Sequence, residues 1–172
     1  MLIGITGKAG SGKDTVADYI CDNYGWVKYS LASPIKRGIC AIFGWDDSMF
    51  QNRELKESVT EHGKSPRQMA QTLGTEWGRE LINERIWLML AEKFIRESRK
   101  AVVIPDVRFE NEAHMIRREG GIIIHLDRDA ESVAAHSSEA GVDQEIEDLV
   151  IVNNGSIKKL HQDIDSLYSI YF

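Results

Sequence analysis

Short apolar runs alternate along the whole chain with stretches in which apolar residues recur every three or four positions. The runs read as strands and the spaced stretches as helices. Leu2-Ile3-Gly4-Ile5-Thr6 predicts a first strand, and Val16, Ala17 and Ile20 predict a helix that reaches about Tyr24. Val27–Ser30 predicts a short second strand, and Ile35, Ile39 and Phe43, four apart, predict a helix over 34–43. Ser65-Pro66 marks a helix start, with serine as cap and proline in the first turn. Met69, Ala70, Leu73 and Trp77 are its expected buried stripe. Trp87, Leu88, Ala91, Phe94 and Ile95 mark the next helix. Ala101–Pro105 is a continuous apolar run, as expected of a strand covered on both faces. A helix over Glu110–Arg118 follows, ending at Gly120-Gly121 with Arg117-Arg118 as its solvated end. Strands are expected at Ile122–Leu126 and Leu149–Val152, and Ile157, Leu160, Ile164 and Leu167 form the stripe of a last helix. This order predicts an α/β fold with a mostly parallel sheet, because parallel neighbours need crossovers and helices make them. Two polar stretches interrupt it, an excursion over 44–64 and an expected helical lid over 127–148.

At 172 residues the expectation is a single domain, 1–172. The net charge of −6 excludes a generally basic nucleic-acid coat and leaves room for a local cationic cleft. Cys21 and Cys40 make no CxxC or Cys/His cluster, so free thiols in a reducing cytosol are expected and a zinc site is not. No apolar run approaches the length of a membrane span. Met1 leads straight into the first strand without a cationic start, so a cytoplasmic location is expected.

Between the first strand and the first helix lies Gly7-Lys8-Ala9-Gly10-Ser11-Gly12-Lys13, a P-loop in the strand–turn–helix context that the motif requires. Glycines let backbone N–H groups turn around phosphate oxygens, and the helix N-terminus adds its positive dipole end. Lys13 brings a cation to the β- and γ-phosphates. The expected ATP-binding set is Gly7, Ala9, Gly10, Ser11, Gly12, Lys13, Asp14 and Thr15. Asp14 stands where a P-loop usually has serine or threonine, so the hydroxyl expected near Mg²⁺ is Thr15. Asp14 has two readings: an acid that complements the helix dipole, or a carboxylate near the acceptor phosphate. Asp106, at the end of an apolar strand, suits a carboxylate that holds Mg²⁺ through water, or else a strand-end cap. Arg108, two residues on, would emerge at the same sheet edge, where open α/β sheets bind ligands. There is no NKxD-type guanine motif, which weakens a GTPase reading.

The blocks beyond the P-loop carry a resemblance. Gly7–Thr15 resembles the GKDT-type P-loop of the bacteriophage deoxynucleoside monophosphate kinases. Ala32-Ser33-Pro34-Ile35-Lys36 resembles their A-x-P-[IL]-K segment, and Ser65–Glu76 their [ST]-P-R…Q-x-x-G-T block. Asp106-Val107-Arg108-Phe109-x-Asn111-Glu112 resembles their D-V-R-F-x-N-E segment, and His136–Glu139 an H-x-[ST]-E lid segment. The resemblance implies a three-layer, adenylate-kinase-like P-loop fold with an acceptor-binding insertion at about 44–80 and a lid at about 127–148. It implies Mg²⁺-dependent transfer of the ATP γ-phosphoryl group to a deoxynucleoside 5′-monophosphate, in the host cytoplasm if phage-encoded. Partners are then ATP and the monophosphate, with no nucleic acid and no membrane, and a homodimer is the oligomer to consider.

Arg67 and Gln71 lie four apart on one helix face, suited to fork a phosphate and to bond a base edge; a solvated face is the alternative. Gly74 and Gly78 lie near that face and are expected to leave room for a ligand. Lys36 is either a further cation for the acceptor or a surface lysine. Arg128, just past a strand, takes by resemblance the role of a donor-contacting arginine at the lid entrance. The expected cationic catalytic set is Lys13, Arg108 and Arg128, and the expected acceptor-binding set is Lys36, Arg67, Gln71 and Arg108. Two other readings compete: another small-acceptor P-loop kinase such as a dephospho-coenzyme-A kinase, and a nucleotide-binding regulatory module without turnover.

Overall fold

The computed structural model describes residues 1–128 and 142–171. In chain order they form β1 (Leu2–Thr6), α1 (Lys13–Tyr24), β2 (Val27–Lys28), α2 (Ser33–Phe43), α3 (Ser48–Gln51), α4 (Arg53–Glu57) and α5 (Pro66–Thr72). A π-helical continuation (Leu73–Ile82) follows, then α6 (Ile86–Glu97), β3 (Val102–Ile104), α7 (Glu110–Arg118), β4 (Ile122–Asp127), β5 (Leu149–Val152) and α8 (Ile157–Tyr171). They group into two compact units, residues 1–30 with 94 onward, and residues 31–93.

The first unit holds a five-stranded, all-parallel sheet in the order β2-β3-β1-β4-β5. β1 is central and buried at every position, as its unbroken apolar sequence requires. Ile3 and Ile5 project to one face and join Val16, Ala17 and Ile20 of α1 and Leu160 and Ile164 of α8 in one core. The other face belongs to α7: a Cβ placed on Gly4 would lie 2.6 Å from Ile116 Cδ1. Helices thus cover both sides, in the three layers that a parallel sheet needs. α8 also grips α1 through polar groups: the hydroxyls of Tyr19 and Tyr24 donate to Asp165 at 2.9 and 2.5 Å, and the Tyr24 ring stacks on Tyr168 at 3.6 Å.

The second unit packs Ile35, Ile39, Cys40, Phe50 and Trp87 into its own core. The polar stretch 44–64 contains α3 and α4, with Phe50 buried and Asn52 capping α4 by accepting from the N–H groups of Glu54 and Leu55. Ser65 caps α5 as expected, in a reciprocal capping box with Gln68.

Three expectations are corrected. Trp77 is 44 % exposed rather than part of a buried stripe, because α5 passes into π-helix, whose i→i+5 bonds rotate later residues off the α-helical face. Gly74 and Gly78 leave no ligand space. A Cβ on Gly74 would lie 2.9 Å from Ile35 Cδ1, and one on Gly78 would lie 2.5 Å from Trp87 Cζ2. The Trp87 indole N–H also donates to Gly74 O at 2.7 Å. Finally, the Arg117 side chain is only 15 % exposed and ion-paired, whereas Arg118 is solvated. Most of the expected lid, including His136 and Glu139, lies in 129–141, outside the described residues.

Candidate active site

The loop after β1 is shaped by close approach. Gly7 has φ +142°, and a Cβ there would lie 2.3 Å from the Leu126 carbonyl oxygen of β4. Gly12 has φ +102°, and a Cβ there would lie 2.8 Å from Asn153 Nδ2. Neither conformation nor space admits a side chain at these two positions. Ser11 N–H closes the turn on Lys8 O at 3.2 Å, and Val16 N–H bonds Gly12 O to begin α1. No side chain caps the N-terminus of α1, so its backbone donors and dipole face the loop. Lys13 Nζ lies across the loop and donates to Gly7 O at 2.6 Å and Lys8 O at 2.8 Å. Gly10 and Ser11 complete the curve, Ala9 is exposed at its tip, and Asp14 and Thr15 are exposed on the first turn of α1. Asp14 lies 3.8 Å from Lys28, which also binds Asp18 at 2.5 Å.

The parallel sheet brings further groups to the same edge. Val107 N–H bonds Ile5 O, setting the Asp106–Arg108 segment beside the end of β1. Asp106 is half-buried and accepts from Ser30 Oγ at 2.7 Å. The Arg108 side chain is exposed, while its N–H and that of Phe109 both donate to Glu112 Oε2, at 2.8 and 3.1 Å. Glu112 is 2 % exposed, so a buried carboxylate fixes the backbone that carries Arg108. Arg128, one residue past β4, donates to Gly10 O at 3.3 Å. Lys13, Asp106, Arg108 and Arg128 therefore belong to one sheet edge.

In the second unit, Arg67 and Gln71 are exposed on α5, and Lys36 is half-buried on α2. Arg67 Nη1 donates to Glu57 Oε1 at 2.8 Å, and this bond holds the Glu57 carboxyl below the usual carboxylate range.

Comparison with known proteins decides among kinases of this shape. A family model for deoxynucleotide monophosphate kinase matches residues 1–62 and 47–164. A putative deoxynucleotide monophosphate kinase of Acanthamoeba polyphaga mimivirus is 32% identical over 96% of this chain and 95% of its own. The chain belongs to the deoxynucleotide monophosphate kinase family. The deoxynucleoside-5′-monophosphate kinase of Escherichia phage T5 is 30% identical over 76% of this chain and 75% of its own. Shikimate kinase from Aquifex aeolicus shares the fold, with a TM-score of 0.50 over 98% of this chain and 96% of that one, at 11% identity. As a member of this kinase family, the chain is a nucleoside monophosphate kinase that takes ATP as phosphoryl donor and phosphorylates deoxynucleoside 5′-monophosphates.

Several site residues of this family member are not evident from local sequence. Ser30, Glu112 and Asn153 reach the edge through side-chain bonds, and only Glu112 lay inside a motif. Local sequence also gives no sign of the buried carboxylate of Asp148, whose side chain is 2 % exposed. Burial alone would raise its carboxyl pKa. The Arg117 fork at 2.5 and 3.2 Å, the Glu145 N–H and His125 Nε2 at 3.0 Å outweigh that and hold it below the ordinary range.

The described residues suit Mg²⁺ in one way. No group of three or more His, Cys, Asp or Glu able to hold a metal occurs among the described residues. One oriented carboxylate, Asp106, and one exposed hydroxyl, Thr15, fit an ion that arrives with the nucleotide and keeps most of its water.

Proposed function

We propose that ATP lies with its phosphates in the Gly7–Lys13 loop and that Lys13, Arg108 and Arg128 stabilise the transferring group. The observation that carries this reading is the loop itself, wrapped around the uncapped N-terminus of α1 with a lysine at its root. An oxygen of the acceptor monophosphate attacks the γ-phosphorus, the bond to the β–γ bridging oxygen breaks, and ADP leaves. The acceptor already carries its negative charge, so the protein need not supply a nucleophile. Catalysis then consists of positioning and of cations aimed at the equatorial oxygens. Lys13 exchanges its two carbonyl partners for phosphate oxygens, and Glu112 keeps Arg108 aimed. Thr15 and Asp106 would hold Mg²⁺ through water, with Ser30 orienting the carboxylate. The metal supplies further charge neutralisation on the phosphates when bound.

Arg67, Gln71 and Lys36 are the acceptor set in this proposal: a fork for the monophosphate, a base-edge partner and an added cation. Their support is the shared exposed face of α5 and the half-buried ammonium on α2. Arg128, which donates to Gly10 O, contacts the donor in this proposal. No described helix is long and apolar enough to cross a membrane. A coupled assay of ADP release with deoxynucleoside and ribonucleoside monophosphates and dephospho-coenzyme A tests the reading. Turnover is expected with deoxynucleoside monophosphates. Turnover with dephospho-coenzyme A alone, or with no acceptor, would overturn it.

A further inference from the structure

Asn153 follows β5 and is 142 positions from the P-loop residue it touches. Its side chain is buried, and Nδ2 donates to Ser11 O at 2.7 Å. Its own N–H donates to Asp127 O at 2.7 Å, so the residue is tied to the end of β4 before it reaches the loop. In a trans peptide the C=O and the following N–H lie in one plane and point in opposite directions. Holding Ser11 C=O toward Asn153 therefore turns Gly12 N–H the other way, and the same amide leaves no room for a Cβ on Gly12.

We propose that Asn153 is a positioning residue for phosphoryl transfer: it fixes the Ser11–Gly12 peptide plane so that Gly12 N–H faces the donor phosphates. The inference rests on the reading that this loop cradles ATP. It goes further by assigning the loop's orientation to a residue outside every motif in the sequence. Asn153→Asp keeps the shape and places an acceptor opposite the Ser11 carbonyl, so the plane is driven away from its native orientation. Asn153→Ala removes the donor alone.

The test uses the full chain and ADP as probe. In Asn153→Asp, ADP affinity by calorimetry should fall about tenfold or more, the scale of losing an aligned donor to a charged group. KM for ATP should rise likewise, while KM for the deoxynucleoside monophosphate stays within about twofold. The Gly12 amide proton shift induced by ADP should shrink in both variants. A merely structural asparagine would lower the melting temperature and leave the ADP-induced shift and the ratio of the two KM values unchanged. That result, equal rises in both KM values, or failure of both variants to fold would overturn the assignment. If the wild-type chain phosphorylated no monophosphate, the acceptor reading would fail, while ADP affinity and the Gly12 shift would still report on Asn153.

Discussion

Arg67→Ala should separate acceptor from donor. Arg67 sits half-exposed on α5, its guanidinium engaged by Glu57 at 2.8 Å. An exposed pair of this kind contributes little, so a phosphate monoester carrying nearly two charges displaces the carboxylate readily. A charge-assisted bond from arginine to phosphate is worth about 1.5–3 kcal/mol, or about 10- to 150-fold in KM. Arg67→Ala should raise KM for the deoxynucleoside monophosphate within that range and leave KM for ATP within about twofold. Glu57→Ala removes the competing carboxylate and should lower the acceptor KM, by no more than about fivefold. Arg67→Lys should recover part of the loss, since an ammonium cannot make the planar fork. The assay is steady-state ADP release with each substrate varied in turn at saturation of the other. Equal rises in both KM values in Arg67→Ala, or a higher acceptor KM in Glu57→Ala, would refute the reasoning and leave Arg67 on a solvated face.

Lys13→Ala should lower kcat by at least about 100-fold with an unchanged circular dichroism spectrum, as for loss of a preorganised charge; turnover near wild type would remove Lys13 from the mechanism. Gly78→Val, whose Cβ would meet Trp87 Cζ2 at 2.5 Å, should cost about 1–3 kcal/mol, read as a drop of several degrees in Tm. An unchanged melting curve would mean that the indole has room to move. Asp148→Asn should lose up to about 3–5 kcal/mol in urea unfolding at neutral pH, because it breaks a buried ion pair. The native carboxyl is held below its unfolded value, so its contribution is complete above about pH 4 and fades as the pH falls through the lower native pKa. The stability gap between wild type and Asp148→Asn should therefore narrow below about pH 4, and a gap independent of pH would contradict the assigned charge state.

Where local pattern and tertiary packing agree, the elements were legible from the chain alone. β1, α7 and β5 run over the residues their apolar patterns predict, and Ser65 caps α5 as expected. The phosphate loop was legible because its signal is contiguous. Misreadings arose where a distant partner decides. Trp77 turns outward because α5 passes into a π-helical segment, of which an α-helical wheel carries no sign. Arg117 read as a solvated helix end because its partner, Asp148, is 31 positions away. α3 and α4 hid in a polar stretch because only Phe50 is buried there, too little to leave a period. Lys13, Asp106, Arg108 and Arg128 reach one edge through sheet order, which strand patterns alone do not specify.

The central place of β1 has a consequence for synthesis. Leu2 pairs with Val102 and Ile3 with Ile122, so β1 leaves the ribosome before either of its neighbours, β3 and β4, has been made. The loop after it lacks its outer bracket until Asn153 emerges. β1 and its loop are thus made before the partners that complete them, and an apolar β1 must wait unpaired in the interval. Such long-range pairing slows folding and leaves a sticky segment exposed to solvent or to chaperones during translation. Slower elongation over residues 100–150 should lengthen that exposure and lower soluble yield, and faster passage through the same stretch should raise it.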